Sequence, residues 1–253
     1  MQHLIAWSES LAGSGFTFVN VAACVDPTIH ASGDYNYIPK GLNKVIWGAG
    51  RGDNMTGFKL NSPSLRAMFA AGMGPVDNLS SNQTSRELNA NYIGENPLPL
   101  VESEGVEALI VKPSGGAAIM GAAICLSDGP VISVGGAIFS IDFSTTITTV
   151  TGQWVSGAIT FAETLPAGRY QIVGSLLWTL NGLFYRFIIP GSGWRPGGVC
   201  LHDTQTRTPP WMRNGRCGVL GEFDHDVPPS MELLADSAES QGVGGCLDLI
   251  KIA

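Results

Sequence analysis

The chain has 253 residues, 44% of them hydrophobic, which is enough to bury the core of one large β domain or two small sandwiches. Charged residues make up only 14%, against about 25% in a typical globular protein, and the formal net charge is −7. This acidic balance, with no basic run at either end, excludes tight non-specific binding of nucleic acid through a tail and predicts nucleic-acid contact that is at most weak.

The glycine content and the cysteine spacing further restrict the class of protein to which the chain can belong. The 33 glycines and the low charge predict a turn-rich β protein whose surface is largely covered by neighbouring copies; the competing interpretation is an enzyme rich in small residues. The five cysteines show no CxxC spacing, so we predict neither a disulfide framework nor a zinc site. No run of about 18 apolar residues occurs, which predicts no membrane span. Without a signal-peptide pattern, we expect synthesis in a reducing cytoplasm.

The first hundred residues carry weak patterns. Alternating apolar residues predict strands at 15–21 and 43–47, and the glycine-rich stretch 48–53 predicts an exposed loop. That stretch contains the adhesion tripeptide Arg51-Gly52-Asp53, which is weak support for integrin binding in a chain with no secretion signal. Apolar residues at helical spacing after Pro63 predict one short helix over 62–74. We therefore predict residues 1–103 as a β and irregular region, either a small sandwich or an arm.

From residue 104 onward the pattern is that of strands alone. The stretches 106–111 and 117–126 flank a Pro-Ser-Gly-Gly turn and predict a hairpin, and 169–178 and 183–189 flank Asn181-Gly182 and predict another. Further strands are expected at 137–150, 154–161, 217–223, 231–234 and 246–252. Because no helical segments alternate with these strands, residues 104–253 are predicted to form a jelly-roll type β-sandwich, in an all-β protein.

Basic residues are concentrated in one block. Residues 165–216 contain six arginines and one acid, together with several aromatic residues. Arginine and tryptophan are enriched at interfaces, so Arg186, Trp194, Arg195 and Trp211 are our candidates for contacts between subunits. The same arginines would also suit carboxylates within the chain, or phosphate, and the sequence leaves these alternatives open.

No pattern for catalysis or a cofactor stands out. Glu222, Asp224, His225 and Asp226 are the densest acidic and imidazole cluster, but neighbours on a strand point to opposite faces, which favours a polar loop over a metal site. His202 and His225 leave open a cupin-like metal site. The nucleophile-elbow, zincin and phosphate-loop motifs are absent. We therefore predict no catalytic residue, no metal and no cofactor, and expect that the chain is not an enzyme.

One resemblance covers residues 105–253. The similarity lies in the stretch 166–174 (PAGRYQIVG), the corner Trp194-Arg195-Pro196-Gly197 and the final apolar strand at 246–250. In these features, this part of the chain is similar in style to jelly-roll capsid proteins of small tailless icosahedral viruses, especially those of bacteria. The resemblance implies a structural subunit that is made in the host cytoplasm, resides in the virion, and binds copies of itself and other capsid proteins. Without a basic arm, such a shell would not neutralise its genome through a tail.

Two other functions stay open at this stage. A ligand- or receptor-binding sandwich of a viral spike or fibre would display exposed aromatic residues and form a monomer or small trimer. A metal-dependent, cupin-like enzyme would gather two or more histidines from neighbouring strands. The capsid subunit is the interpretation that the composition and the resemblance favour together.

Overall fold

The computed structural model describes residues 1–65, 76–77, 91–201 and 212–253. Every regular element in these ranges is a β-strand, which confirms the all-β prediction. None of the residues described forms a helix able to traverse a bilayer.

The strands form four sheets, named here by their position. The outer N-terminal sheet contains β2 (Val19–Val21), β3 (Ala31–Ser32), β4 (Tyr35–Tyr37), β6 (Gly57–Asn61) and β10 (Gly105–Val111). The inner N-terminal sheet contains β1 (Gln2–Leu11), β5 (Lys44–Gly52), β7 (Val76–Asp77), β8 (Asn91–Tyr92), β9 (Leu98–Pro99) and β11 (Ala118–Ser127). The inner C-terminal sheet contains β13 (Trp154–Ala158), β16 (Gly182–Ile188), β17 (Gly197–Val199) and β19 (Ser230–Ala235). The outer C-terminal sheet contains β12 (Phe139–Thr148), β14 (Thr160–Phe161), β15 (Arg169–Trp178), β18 (Gly221–Asp224) and β20 (Ser240–Lys251).

Neighbours within each sheet are mostly distant in sequence. The strand orders are β2-β10-β4-β3, with β6 also on β10, and β1-β11-β5, with β7, β8 and β9 along β5. In the C-terminal half they are β13-β19-β16-β17 and β14-β12-β20-β15-β18. All of these pairs are antiparallel except the two-residue contact of β5 with β7. The two N-terminal sheets form one sandwich and the two C-terminal sheets another.

The inner N-terminal sheet serves two cores at once. Side chains of a strand alternate between faces, and in β1 the residues Ile5 and Trp7 belong to the N-terminal core while Leu4 and Ala6 belong to the C-terminal one. Both sets are buried, so the sheet is covered on each side. The four sheets are therefore stacked as four layers, with the two inner sheets in contact.

The two inner sheets approach closely at a glycine. A Cβ built on Gly121 of β11 would lie 2.9 Å from the ring of Phe184 and 3.1 Å from Leu183, both on β16. Only hydrogen at this position lets the aromatic ring of the facing sheet lie against the β11 backbone. The glycine- and alanine-rich strands of this half of the chain thus allow two sheets to pack face to face.

The same packing corrects two expectations for residues 48–53. This stretch is not a loop, because β5 continues to Gly52 and pairs with β11 along its length. Arg51 is fully buried, so the Arg-Gly-Asp tripeptide is not displayed at the surface. The glycines of this stretch do not form a loop. They lie in a sheet that is packed against other sheets on both faces, where small residues are needed.

Both predicted hairpins are wrong as hairpins. β10 lies in the outer N-terminal sheet while β11 lies in the inner one, and β15 and β16 are likewise in opposite C-terminal sheets. The turn residues do reverse the chain, and β15 covers the predicted 169–178. However, a turn does not dictate that its flanking strands pair, and here each reversal carries the chain from one layer to the next.

Other predictions for the N-terminal half have mixed outcomes. β1, a ten-residue strand, was not predicted. The predicted helix falls mainly on residues 66–74, outside the described residues, and 63–65 form a turn. A boundary at residue 103/104 stays a prediction, but β10 and β11 pair with strands of residues 2–61, and the chain enters the C-terminal sheets only between Ser127 and Phe139.

Candidate functional site

A buried cluster of charged side chains lies where the two sandwiches meet. Arg186 of β16 donates from Nε to Glu232 Oε2 at 2.5 Å, and Glu232 is its direct cross-strand partner on β19. Arg186 Nη1 donates to the carboxylate of Asp26 and, at 3.2 Å, to the carbonyl of Leu4. Asp26 and Leu4 belong to the N-terminal sandwich, so one guanidinium joins both halves of the molecule.

The rest of the Arg186 environment is aromatic and closed. Its guanidinium carbon lies 4.3 Å from the centroid of the Trp154 ring, a cation–π arrangement. Its Nη2 group is buried without a hydrogen-bond partner among the residues described. Arg186 is thus held through two of its three guanidinium nitrogens and on one face of the group, and no part of it reaches solvent.

His3 extends the cluster and its protonation state follows from its partners. The backbone N–H of Arg195 donates to His3 Nδ1 at 3.0 Å, so Nδ1 must be unprotonated. His3 Nε2 lies 2.9 Å from Asp26 Oδ2 and therefore carries the hydrogen that it donates to this carboxylate. The geometry selects the neutral Nε2–H tautomer of a fully buried imidazole.

The pKa values of His3 and Asp26 are shifted in the directions that this geometry implies. Burial lowers the pKa of His3 below its usual 6.5, although the Asp26 carboxylate partly opposes the change. Burial alone would raise the pKa of Asp26, but the His3 hydrogen bond and the Arg186 charge outweigh it and hold that pKa well below 3.8. The hydroxyl and backbone N–H of Thr28 both donate to the same carboxylate at 2.7 Å.

Three of the four predicted contact residues lie in or beside this cluster. Arg195 belongs to the cluster, since its Nη1 lies 2.5 Å from Glu232 Oε1, and its side chain is 16% exposed. Trp194 is partly buried, with its ring edge-on to His3 at 5.8 Å between centroids. Trp211 lies outside the described residues. The structure thus brings Arg186, Arg195 and Trp194 together. Arg186 is fully buried within the chain and cannot contact a neighbouring subunit directly, whereas a role of Arg195 and Trp194 between subunits stays a prediction.

Two further arginines of the basic block, Arg213 and Arg169, also contact carboxylates within the chain. Arg213 forms two hydrogen bonds with Asp248, at 2.8 and 2.7 Å, and Arg169 lies 3.0 Å from Glu222. Burial would raise the pKa of Asp248, but the Arg213 contact lowers it below its usual value. Of the three alternatives left open by the sequence, these contacts favour intrachain pairing.

The acidic and imidazole cluster at 222–226 is spread along a strand end. Glu222 accepts a hydrogen bond from Gln171 at 2.9 Å, while His225 Nδ1 lies 3.4 Å from the backbone N–H of Gly168. Within the described ranges, no three histidine, cysteine or acidic side chains are arranged to hold a metal ion. His202 lies outside those ranges, so the pairing of His202 with His225 stays a prediction.

All five cysteines are free and buried. Burial raises the pKa of Cys24 to about 11 and those of Cys200 and Cys217 to about 12. Since the thiolate is the reactive form, these thiols are poor nucleophiles at neutral pH.

Comparisons with known proteins add little. No protein-family model and no curated protein sequence matches the chain. Among solved structures, the chain is similar to the major capsid protein P2 of bacteriophage PM2, with 9% sequence identity and a TM-score of 0.25 over 100% of this chain and 98% of that chain. A TM-score this low carries no argument about fold or function.

The sequence pointed to the arginines of the cluster but not to His3, Asp26 or Glu232. His3 and Asp26 are 183 and 160 residues from Arg186, and no local pattern indicates such a contact. For Glu232 a weak signal exists, because an acid stands inside the apolar run of β19. A charge in an otherwise buried strand indicates a charged partner in the same layer.

Proposed function

We propose that this chain is a viral capsid subunit that assembles with copies of itself into a shell, and that each sandwich is a jelly roll. In this proposal the protein resides in the virion, contacts other capsid proteins as well as itself, and has no catalytic activity of its own.

The strand pairing of the C-terminal sandwich is the observation that carries the proposal. A jelly roll results when a long antiparallel ribbon of strand pairs wraps around a core, so that successive pairs alternate between two sheets. Here the ribbon pairs are β12 with β20, β13 with β19, β15 with β18, and β16 with β17. The first and third pairs belong to the outer sheet, the second and fourth to the inner one.

The N-terminal sandwich repeats this order as far as it is described. β1 pairs with β11, β2 with β10, and β5 with β9, again alternating between sheets. β6 lies beside β10 as β16 lies beside β19. The two sandwiches share this strand connectivity and pack together through their inner sheets, so they form one rigid block. A rigid block suits a subunit whose contacts with its copies must repeat with fixed geometry.

The surface supports assembly as well. Large apolar side chains stand exposed on connecting loops, with Phe16 and Val25 85% exposed and Ile132 81% exposed. Few charges separate one copy from another, since only 14% of the residues are charged. Burial of such side chains between copies would supply the driving force for association. Arg186, being internal, would act only by keeping the two sandwiches in place.

Particle mass tests the proposal. The full chain at physiological salt is measured by light scattering and imaged in negative stain, and we expect uniform large particles. The variants Val25→Ser and Ile132→Ser should reduce assembly while leaving the circular dichroism spectrum unchanged, and Glu163→Gln, at another exposed position, serves as the control. A stable monomer or small trimer at all concentrations would contradict the capsid function.

A further inference from the structure

An open groove of about 650 Å³ crosses the solvent-facing side of the outer C-terminal sheet. Its axis follows one row of cross-strand partners: Thr160 lies opposite Ser144, Ser144 opposite Gly244, and Gly244 opposite Trp178. Four strands at the usual spacing make this row ~14 Å long. The groove therefore has the length for a short chain molecule, not only for a single small ligand.

Glycines form the floor and an indole forms one wall. The Trp178 indole occupies the space that a side chain on Gly244 would take, with Nε1 2.3 Å from the position of a Cβ there. A Cβ on Gly242, the next outward-facing residue of β20, would meet nothing within 4 Å. The sheet surface is thus open beside an aromatic ring, where a ligand could lie against both.

Several polar groups of the groove have no hydrogen-bond partner, although the hydroxyl of Thr179, which also lines it, donates to Gln241. Ser144, Thr146 and Thr160 line it, and their hydroxyls have no hydrogen-bond partner among the described residues. The Trp178 N–H, within those same residues, is likewise without a partner. None of the lining side chains is charged. A ligand here would meet several donor–acceptor hydroxyls, one aromatic face and no charge.

We propose that this groove binds a neutral oligosaccharide. Sugars present alternating hydroxyl groups and apolar C–H faces, and these match the serine and threonine hydroxyls and the Trp178 ring, respectively. The absence of charge disfavours sulfated or carboxylated glycans and phosphate. A second copy of the chain is a less suitable occupant, because stable protein interfaces have an apolar centre, and here only Trp178 and Leu180 supply large apolar surface.

The test uses the full-length chain and two variants that act differently. Trp178→Ala removes the aromatic wall, whereas Gly242→Val fills the open floor at a position where a Cβ would meet nothing within 4 Å, and valine favours the strand conformation. The matched control is Ser240→Val, which places the same side chain two residues away on β20, at an exposed position outside the groove. Thermal melting confirms that each variant is folded.

Binding is measured on an array of neutral and anionic glycans, then by calorimetry with maltohexaose, cellohexaose and chitohexaose. We expect at least one neutral glycan to bind, with affinity reduced about ten-fold or more in both groove variants and unchanged in the control. The proposal is overturned if no neutral glycan binds, if only anionic glycans bind, or if binding survives both variants. Loss of assembly in Gly242→Val without any glycan binding would also overturn it, and would identify the groove as a subunit contact. Particle mass is recorded separately, so failure of glycan binding and failure of assembly are distinguishable.

Discussion

Replacing Arg186 with methionine tests the charged contact between the two sandwiches. Methionine keeps much of the length of arginine and is apolar, so the substitution removes the charge with little change in packing. Two carboxylates, Asp26 and Glu232, then lose a buried cationic partner, and the Leu4 carbonyl loses a donor.

The expected cost follows from what each carboxylate retains. Asp26 keeps the hydrogen bonds from His3 and Thr28, and Glu232 keeps Arg195, so neither is left without any partner. Breaking a buried ion pair by removing one member typically costs about 3–5 kcal/mol. Because both carboxylates stay partly compensated, we expect the lower part of that range, about 3–4 kcal/mol.

Urea denaturation of unassembled protein, followed by tryptophan fluorescence, measures this loss. The control is Arg169→Met, which breaks an ion pair with Glu222 in which the arginine side chain is 54% exposed. Exposed pairs contribute about 0–1 kcal/mol, so this variant should change little. If the two substitutions lower the free energy of unfolding by similar amounts, the cluster does not hold the sandwiches together as argued.

Three further predictions address the same interface and the thiols. Gly121→Val should destabilise the fold by about 1–3 kcal/mol, because the new side chain collides with Phe184; a shift in the urea midpoint measures it, and a neutral result would refute the close approach of the inner sheets. Acid should destabilise the chain, because folding lowers the pKa of His3. As the pH falls, the unfolded state binds the proton before the folded state does. The contribution of His3 to stability is therefore fully present above pH 6.5, the pKa in the unfolded state, and is lost as the pH falls below 6.5. The lowered pKa of Asp26 adds a further loss of stability below pH 3.8. In His3→Gln, the urea midpoint should therefore not fall as the pH drops below 6.5, but it should still fall below pH 3.8. The five buried cysteines should resist a thiol reagent at pH 7 until denaturant is added; rapid labelling of the native chain would contradict their burial.

Strand positions in the C-terminal half were predictable because the sequence there carries local signals. β12 and β15 are rich in β-branched or alternating residues and end at turn residues, and both lie where the pattern places them. β1 was missed because its residues 2–7 are all buried and give no alternation. A strand covered on both faces resembles any short apolar run, so periodicity cannot identify it.

The pairing of strands was not predictable from local patterns, and the candidate sites depend on it. The Asn181-Gly182 turn indicates a reversal, but whether the next strand joins the same sheet depends on which faces must be buried. One sequence pattern does point to the groove, namely the two glycines Gly242 and Gly244 within an apolar strand. Glycine within a strand indicates close approach of another group, here the Trp178 indole.

The location of the charged cluster gives it a specific structural consequence. Apolar contacts between the inner sheets would tolerate small sliding of one sandwich over the other, since hydrophobic burial is non-directional. Hydrogen bonds from one guanidinium to Asp26, Glu232 and Leu4 do not tolerate it, because each requires a defined distance and angle. Contacts made by the two halves with neighbouring copies can repeat around a closed shell only if the angle between the halves is constant. We therefore expect Arg186 to matter for assembly through the rigidity of the subunit, although its side chain cannot reach a neighbour.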